Sequence, residues 1–472
     1  MNYGIALVGL CGASRASLTA LMEDGILPSL KLWSAGNIRG GLEYPFPVST
    51  AAAWTTLITG RPPAEHGVFD LFRKQSPEGH HLRALTSRDL PCDAIWTLLN
   101  RAGKRTTVLD FPLTVPPARI DGHVIPGSWA TRRQLKMSCH PSDLSRRLSD
   151  LGVVQVESLA LDWPAGQNAE WVAAQIERES QIFKTAKFLR ETEPSDLTVL
   201  LMRAAGTVVA WHSASTDPGI RQACLKYFQS LDAQLAELAG TGANLILVSE
   251  PGPTEAFPVN QWLAGRGYLY WTEEHETTIL ERKALDTDQL NRQAKLIDWT
   301  KTRAYSPLAG SNEIHIVRRD AGHPAGVPDE EYESMRDELI ARLLEEHPLS
   351  RAWKREELYA GPHFDLAPDL MLAEEPEAGI FLAGGPLFET NRTIDPLSTL
   401  GIVPLILYGL GMEIPADLDG RLPLKAIQAS WLENNPVRLG LTGSARPAAE
   451  RVLDPQAEEI VLKRLQELGY LE

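Results

Sequence analysis

Four side chains in this sequence have types and settings that suit chemistry: Cys11, Thr50, His212 and Glu250. Cys11 stands between the apolar run Ile5 to Leu10 and a helical stretch. A helix dipole there lowers a thiol's pKa and makes the thiolate a nucleophile; the plainer alternative is a small buried hydrophobe. Thr50 stands where a helix begins, so its hydroxyl either accepts a backbone N–H as the cap or acts as a nucleophile or ligand-binding group. His212, beside Trp211 and after a second apolar run, suits a general base or a satisfied core imidazole. Glu250, in Ser249-Glu250-Pro251-Gly252, suits an acid role or a turn carboxylate. Trp54 and Trp211 suit substrate stacking or core packing, and His66, in Glu65-His66-Gly67, reads as a turn residue.

Positioning these groups falls to a regular alternation of elements. Ile5 to Leu10, Leu197 to Met202 and Leu245 to Ser249 are continuous apolar runs, the pattern of parallel strands buried on both faces. Between them lie amphipathic helical segments, one through Ile182, Phe183, Ala186 and Leu189, another from Asp217 to Ala239. The expected fold is α/β, a largely parallel sheet with helices on both faces. Such sheets carry their chemistry at the carboxyl ends of the strands, which singles out Cys11 to Arg15, the residues after Met202, and Ser249 to Thr254. Two stretches break the alternation, 75–195 and 268–345, and are expected as cap or insertion regions of a single domain spanning 1–472. The second holds most of the polar helix Glu330 to Glu346, and Asp454 to Gly469 reads as a terminal helix.

Composition narrows the partners. The 472 residues carry a formal charge of −15, with 43% hydrophobic and 23% charged residues. This is an ordinary globular balance whose acidity disfavours nucleic acid and anionic membranes, both of which reward clustered Lys and Arg. The first ten residues lack the basic start and long apolar run of a signal sequence, and no run reaches spanning length. Cys11, Cys92, Cys139 and Cys224 have no pairing or zinc-knuckle spacing, which suits a reducing cytoplasm. The expected ligand is a small or medium organic molecule, with a protein partner left open.

Val48 to Asp70 carries a longer pattern: Ser49-Thr50 before a helix, Thr59-Gly60 at its end, then Pro62-Pro63 and His66-Gly67. It resembles the nucleophile segment of the type I phosphodiesterase and nucleotide pyrophosphatase branch of the alkaline phosphatase superfamily. The likeness runs on through Asp110-Phe111-Pro112, Ala367-Pro368-Asp369-Leu370, Gly379 to Pro386 and Leu468-Gly469-Tyr470-Leu471. It implies an alkaline-phosphatase-like core in which Thr50 holds the place of a Thr or Ser that attacks phosphorus between two divalent metals. The metals lower the nucleophile's pKa and neutralise the phosphoryl oxygens.

By the same resemblance, the family's metal-ligand positions fall here on Cys11 for an Asp, on Val208 and His212 for an Asp-x-x-x-His, and on Glu250 and Pro251 for an Asp-His. A last His falls near Glu375. Val and Pro cannot ligate, so the expectation is a site without its two metals and without another cofactor. Family geometry would place Thr50, His212 and the Glu375 region together as a metal-independent relay for acyl or other group transfer, hydrolysis or condensation. Two alternatives stand beside it, a non-catalytic binding or scaffold protein and a one-metal phosphodiesterase or phosphatase.

Overall fold

Ile5–Leu10 forms strand β1 at the centre of a nine-stranded sheet in the computed structural model. The structure describes residues 4–45, 49–74, 80–127, 132–159, 166–251, 257–273, 294–307, 311–346, 351–373 and 378–440. Strands β2 (Ile38–Glu43), β5 (Thr106–Phe111), β6 (Gly122–Pro126), β7 (Leu197–Met202), β8 (Asn244–Ser249), β13 (Gly379–Gly384), β14 (Arg392–Thr393) and β15 (Leu397–Ser398) complete the sheet. Its order is β14-β2-β13-β8-β1-β7-β5-β6, with β15 also on β2. β1 runs parallel to β7 and β8, and β5 parallel to β7 and β6, so the carboxyl ends of β1, β5, β6, β7 and β8 open on one edge. β13 runs antiparallel to β8 and β2.

The apolar runs alternate between two cores. Val8 and Leu10 face a core with Leu200, Met202 and Leu247, covered by the helices Ala169–Thr192 and Pro218–Ala239. Ile5 and Leu7 face the other, with Val199, Leu201 and Val248, covered by the helices Thr50–Thr59 and Ile402–Gly409. Each such side chain, once buried, contributes roughly 1.5–3 kcal/mol. Gly9 is small for a packing reason: a Cβ there would lie 2.6 Å from the ring of Trp54, which is fully buried.

Residues 75–195, expected as a cap, instead supply β5 and β6 to the central sheet, and their long helix Ala169–Thr192 covers one face. The run Thr106-Thr107-Val108-Leu109-Asp110-Phe111 was hidden by its polar members. Thr107 satisfies its hydroxyl with His123 Nδ1 at 3.1 Å and Ser195 Oγ at 2.8 Å, which lets a polar side chain sit inside a sheet. The second stretch belongs to a separate core. A four-stranded sheet in the order β11-β12-β10-β9 (Arg351–Lys354, Leu370–Ala373, Glu313–Ile316, Ala304–Tyr305) packs against the helices Val259–Gly265 and Tyr332–Glu346. Facing it is a two-stranded hairpin, β3 (Phe72–Lys74) and β4 (Leu82–Ala84). The expected terminal helix at Asp454 lies outside the described residues.

Candidate functional site

The Thr50 helix is capped by its neighbour. Ser49 Oγ accepts the Ala52 N–H at 3.1 Å and donates to the Phe69 carbonyl, so Thr50 takes the first helical position with its hydroxyl spared from capping. Every residue from Ala51 to Thr59 is buried, while Thr50 is half-buried. Gly60, at φ 66°, ends the helix in the left-handed conformation, and its N–H reaches the Thr56 carbonyl at 2.9 Å. His66 then locks the following turn. Its Nδ1 accepts the Val68 N–H at 3.1 Å, so the proton resides on Nε2, which donates to Thr56 Oγ1 at 3.0 Å. Burial pushes this imidazole down to about 3, and its role is the structural one expected.

At the carboxyl ends of the parallel strands, the first residues beyond β1, β7 and β8 are Cys11, Arg203 and Glu250, and Asp110 is the last but one residue of β5. Cys11 Sγ donates to Glu250 Oε1 at 2.9 Å and the Gly12 N–H donates to the same oxygen at 3.1 Å. Glu250 is 2% exposed, and burial raises its pKa against the stabilising pull of Cys11, Trp54, Thr50 and Arg203. Among the described residues neither Glu250 Oε2 nor Trp54 Nε1 makes a hydrogen bond of good geometry, although indole and hydroxyl both face the carboxyl group closely enough to stabilise its anion. Burial first, then the Glu250 carboxylate, pushes the Cys11 thiol well up, so the thiolate expected from a helix dipole is disfavoured here.

Behind this first layer lies an ionic network. β5 shifts register between Leu109 and Phe111, and Asp110 adopts φ 60°, a bulge that re-aims its side chain. Its carboxylate pairs with Arg178, which also donates from Nε to the Leu159 carbonyl at 2.8 Å. Glu179 accepts the Ala204 N–H at 3.1 Å and the Tyr227 hydroxyl at 2.7 Å, and burial pushes it up to about 7. Arg203 is buried among Asp110, Cys11, Arg178 and Glu250, all of which act on its charge.

His212 is not part of this cluster. The chain turns into the helix Ala205–Ala214 directly after β7, and its first turn approaches the β1 end: the Gly206 N–H donates to the Cys11 carbonyl at 2.8 Å, and a Cβ at Gly206 would lie 2.4 Å from the Gly12 oxygen. At 1.5 Å per residue His212 is about 9 Å farther along the axis. Its ring meets Phe228 edge-on at 5.6 Å, and burial and Arg221 lower its pKa while Asp24 opposes them. The residues of this segment nearest the strand end are apolar: Ala204, Ala205, Val208 and Val209 are buried in the core. Trp211 packs on Trp171 with centroids 5.1 Å apart, and Trp54 meets Phe111 edge-on at 5.9 Å. Glu375 lies outside the described residues. The structure therefore brings Thr50, Glu250 and Cys11 together and leaves His212 apart.

Sequence reasoning passed over Arg203, Asp110, Arg178 and Glu179. Arg203 had a signal, a charge immediately after an apolar strand run, and Asp110 stood within a recognised motif; Arg178 and Glu179 sit inside a helix with no mark to distinguish them. The donor set at the strand ends does not fit a metal ion. Among the described residues no three His, Cys, Asp or Glu side chains are gathered to hold one, and a buried guanidinium, itself a cation, stands beside Cys11 and Glu250.

No protein of curated function is significantly similar to the sequence. Among solved structures, murine ectonucleotide pyrophosphatase/phosphodiesterase 5, in an inactive threonine-to-alanine variant bound to AMP, is 14% identical with a TM-score of 0.52, over 92% of this chain and 99% of that one. Phosphonoacetate hydrolase from Sinorhizobium meliloti 1021, in complex with phosphonoformate, is 15% identical with a TM-score of 0.51, over 87% of this chain and 95% of that one. At these identities the likeness establishes the fold, which is the alkaline-phosphatase-like one expected. The sequence profile of the type I phosphodiesterase/nucleotide pyrophosphatase family matches residues 6–387. This chain belongs to the type I phosphodiesterase/nucleotide pyrophosphatase family.

Proposed function

We propose that this family member is a metal-independent enzyme acting on a small organic ester, with the Thr50 hydroxyl as nucleophile and Glu250 as its proton acceptor. The observation that carries the reading is the buried carboxyl of Glu250 facing a Thr50 hydroxyl that Ser49 has relieved of capping. A carboxylate of raised pKa is a better base than an ordinary one. Thr50 Oγ attacks the acyl carbon as its proton passes to Glu250. The intermediate collapses with loss of the alcohol, which takes that proton. Water then cleaves the acyl-Thr50 ester, one proton again passing through Glu250, and releases the acid. An acyl rather than a phosphoryl group fits the charge balance: the two buried cations beside the pair, Arg178 and Arg203, are matched by the carboxyls of Asp110 and Glu250. The relay expected from Thr50, His212 and Glu375 gives way to Thr50 and Glu250, because His212 lies two turns away.

The four cysteines are free and buried, which supports a reducing, cytoplasmic setting. Among the described residues no helix is long and apolar enough to cross a membrane.

The test is turnover of p-nitrophenyl acetate and butyrate, and of bis(p-nitrophenyl) phosphate, by EDTA-dialysed protein. Carboxylic ester turnover should persist through dialysis and fall by about 100-fold or more in Thr50→Ala and in Glu250→Gln. Thr50-dependent phosphodiester hydrolysis that the chelator abolishes would restore a metal enzyme. Absence of any Thr50-dependent turnover would favour a binding protein, a reading supported by the pairing of Arg178 with Asp110 and the carboxyl of Glu250 beside Arg203, which leave little free charge for catalysis.

A further inference from the structure

Between the β3–β4 hairpin and the small sheet lies an open cleft of about 620 Å³, away from the groups assigned to ester chemistry. Its walls carry charges of both signs that the protein meets only in part: Glu313 shares one oxygen with His315 Nε2 at 3.3 Å, and Asp70 accepts the Leu71 N–H. Asp70, at the foot of the hairpin, faces Glu313 of β10, which is 6% exposed. Tyr305 of β9 also lines the cleft; it is 4% exposed, and its hydroxyl has no hydrogen-bond partner among the described residues. On the hairpin side stand Arg73 and Lys74. Arg73 donates one N–H to the Gly67 carbonyl, and the Lys74 ammonium lies 5.2 Å from the centre of the Tyr305 ring. Neither has a carboxylate within ion-pair distance among the described residues, whereas Arg83 and Arg318 on the same walls are engaged by Asp89 and Asp329.

We infer that this cleft binds a small zwitterion carrying a primary ammonium and an acid group, the ammonium held by Asp70, Glu313 and the Tyr305 hydroxyl, the acid group by Arg73 and Lys74. An ammonium has three donors, and the two carboxylates and the phenol oxygen are three acceptors. A buried phenol oxygen without a partner costs stability unless something supplies one, and a ligand N–H does. The like-charged carboxylates also oppose each other: burial and Glu313 push Asp70 up to about 8, and a bound cation relieves that conflict. Burial lowers Arg73 and Lys74, Asp369 opposing it at Lys74, and an anion beside them offsets that cost in turn. A plain amine or a plain acid satisfies only one wall. The inference does not rest on the proposed ester chemistry, since none of its residues touches Thr50 or Glu250.

The test is calorimetric titration of the full chain at pH 7 with ω-amino acids from glycine to 6-aminohexanoate, and with the n-alkylamine and carboxylate of matching length. At least one amino acid should bind about tenfold or more tighter than both of its analogues. Asp70→Asn and Lys74→Met, each close in shape to the native residue, should each remove that preference, and Thr50→Ala should leave it intact. The inference is overturned where no amino acid outbinds its analogues, or where one does and both cleft variants bind it as the wild type does.

Discussion

The strand-end cluster and the hairpin cleft are both rich in charge, yet they handle it in opposite ways. At the strand ends Asp110 pairs with Arg178, Glu179 receives two hydrogen bonds, and Arg203 lies among carboxylates. In the cleft Asp70 and Glu313 confront each other, and Arg73 and Lys74 stand without carboxylate partners among the described residues. Neutralisation from within makes the first region a rigid support for one hydroxyl and one carboxyl group. Open charge makes the second a surface whose conflicts a ligand can resolve. The same residue types thus contribute to stability in one place and work against it in the other, and substitutions should separate the two.

The largest effect is expected behind the strand ends. Arg178→Met takes one of two guanidinium groups from buried Asp110, Arg203 remaining beside it, and breaking a buried pair from one side typically costs about 3–5 kcal/mol. Urea unfolding should show a loss of that size, most of it recovered when Asp110→Leu is added. An additive loss in the double variant would mean that the pair is not an internally neutralised unit.

In the cleft the sign should reverse. Asp70 has its folded pKa raised, so the native state holds a proton that the unfolded chain releases, and stability falls as pH rises between about 4 and 8. Asp70→Asn removes that penalty. It should match the wild type near pH 4 and exceed it by about 2 kcal/mol at pH 7, a value discounted for the partial exposure of the cleft wall. Equal stability at both pH values would show that the Asp70 and Glu313 charges do not conflict. Glu179→Gln extends the comparison: with a folded pKa of about 7, Glu179 contributes stability below pH 4.5 that is lost as pH rises towards 7. The variant should flatten that segment of the profile by about 1–2 kcal/mol, less than the full shift because its two donors must re-pair.

Much of this contrast was only half legible in the sequence. β1, β7 and β8 are uninterrupted apolar runs because both faces of the sheet are covered, and a run of that kind is visible without a structure. β5 was hidden by its polar members, and those of Thr107 and Asp110 are satisfied by residues remote in the chain, Ser195 and Arg178 among them. Thr50 could be found from its motif, but its release from capping depends on Ser49 reaching both Ala52 and Phe69. Glu250 was visible as an acid at a strand end, and its link to Cys11 was not. The cleft could not have been read at all, since Asp70 and Glu313 meet only after the second core has folded against the hairpin.

The smallest effect is expected at His212, and it bears directly on which residues form the site. Spacing within a motif assumes that the residues keep one helical phase towards the strand ends, and here the helix Ala205–Ala214 begins three residues after β7. Its first turn, with Gly206 against Gly12, is the part that meets the strand ends, so a residue six positions beyond Gly206 has passed along the axis and away. The imidazole there is partly exposed, its Nδ1 has no partner among the described residues, and it meets the Phe228 ring edge-on. His212→Ala should change stability by about 0.5–1 kcal/mol, as loss of one edge-on aromatic contact would, and leave Thr50-dependent ester turnover unaltered. A fall in turnover comparable to that of Glu250→Gln would return the imidazole to the mechanism and would require the Ala205–Ala214 helix to shift by nearly two turns in the working enzyme.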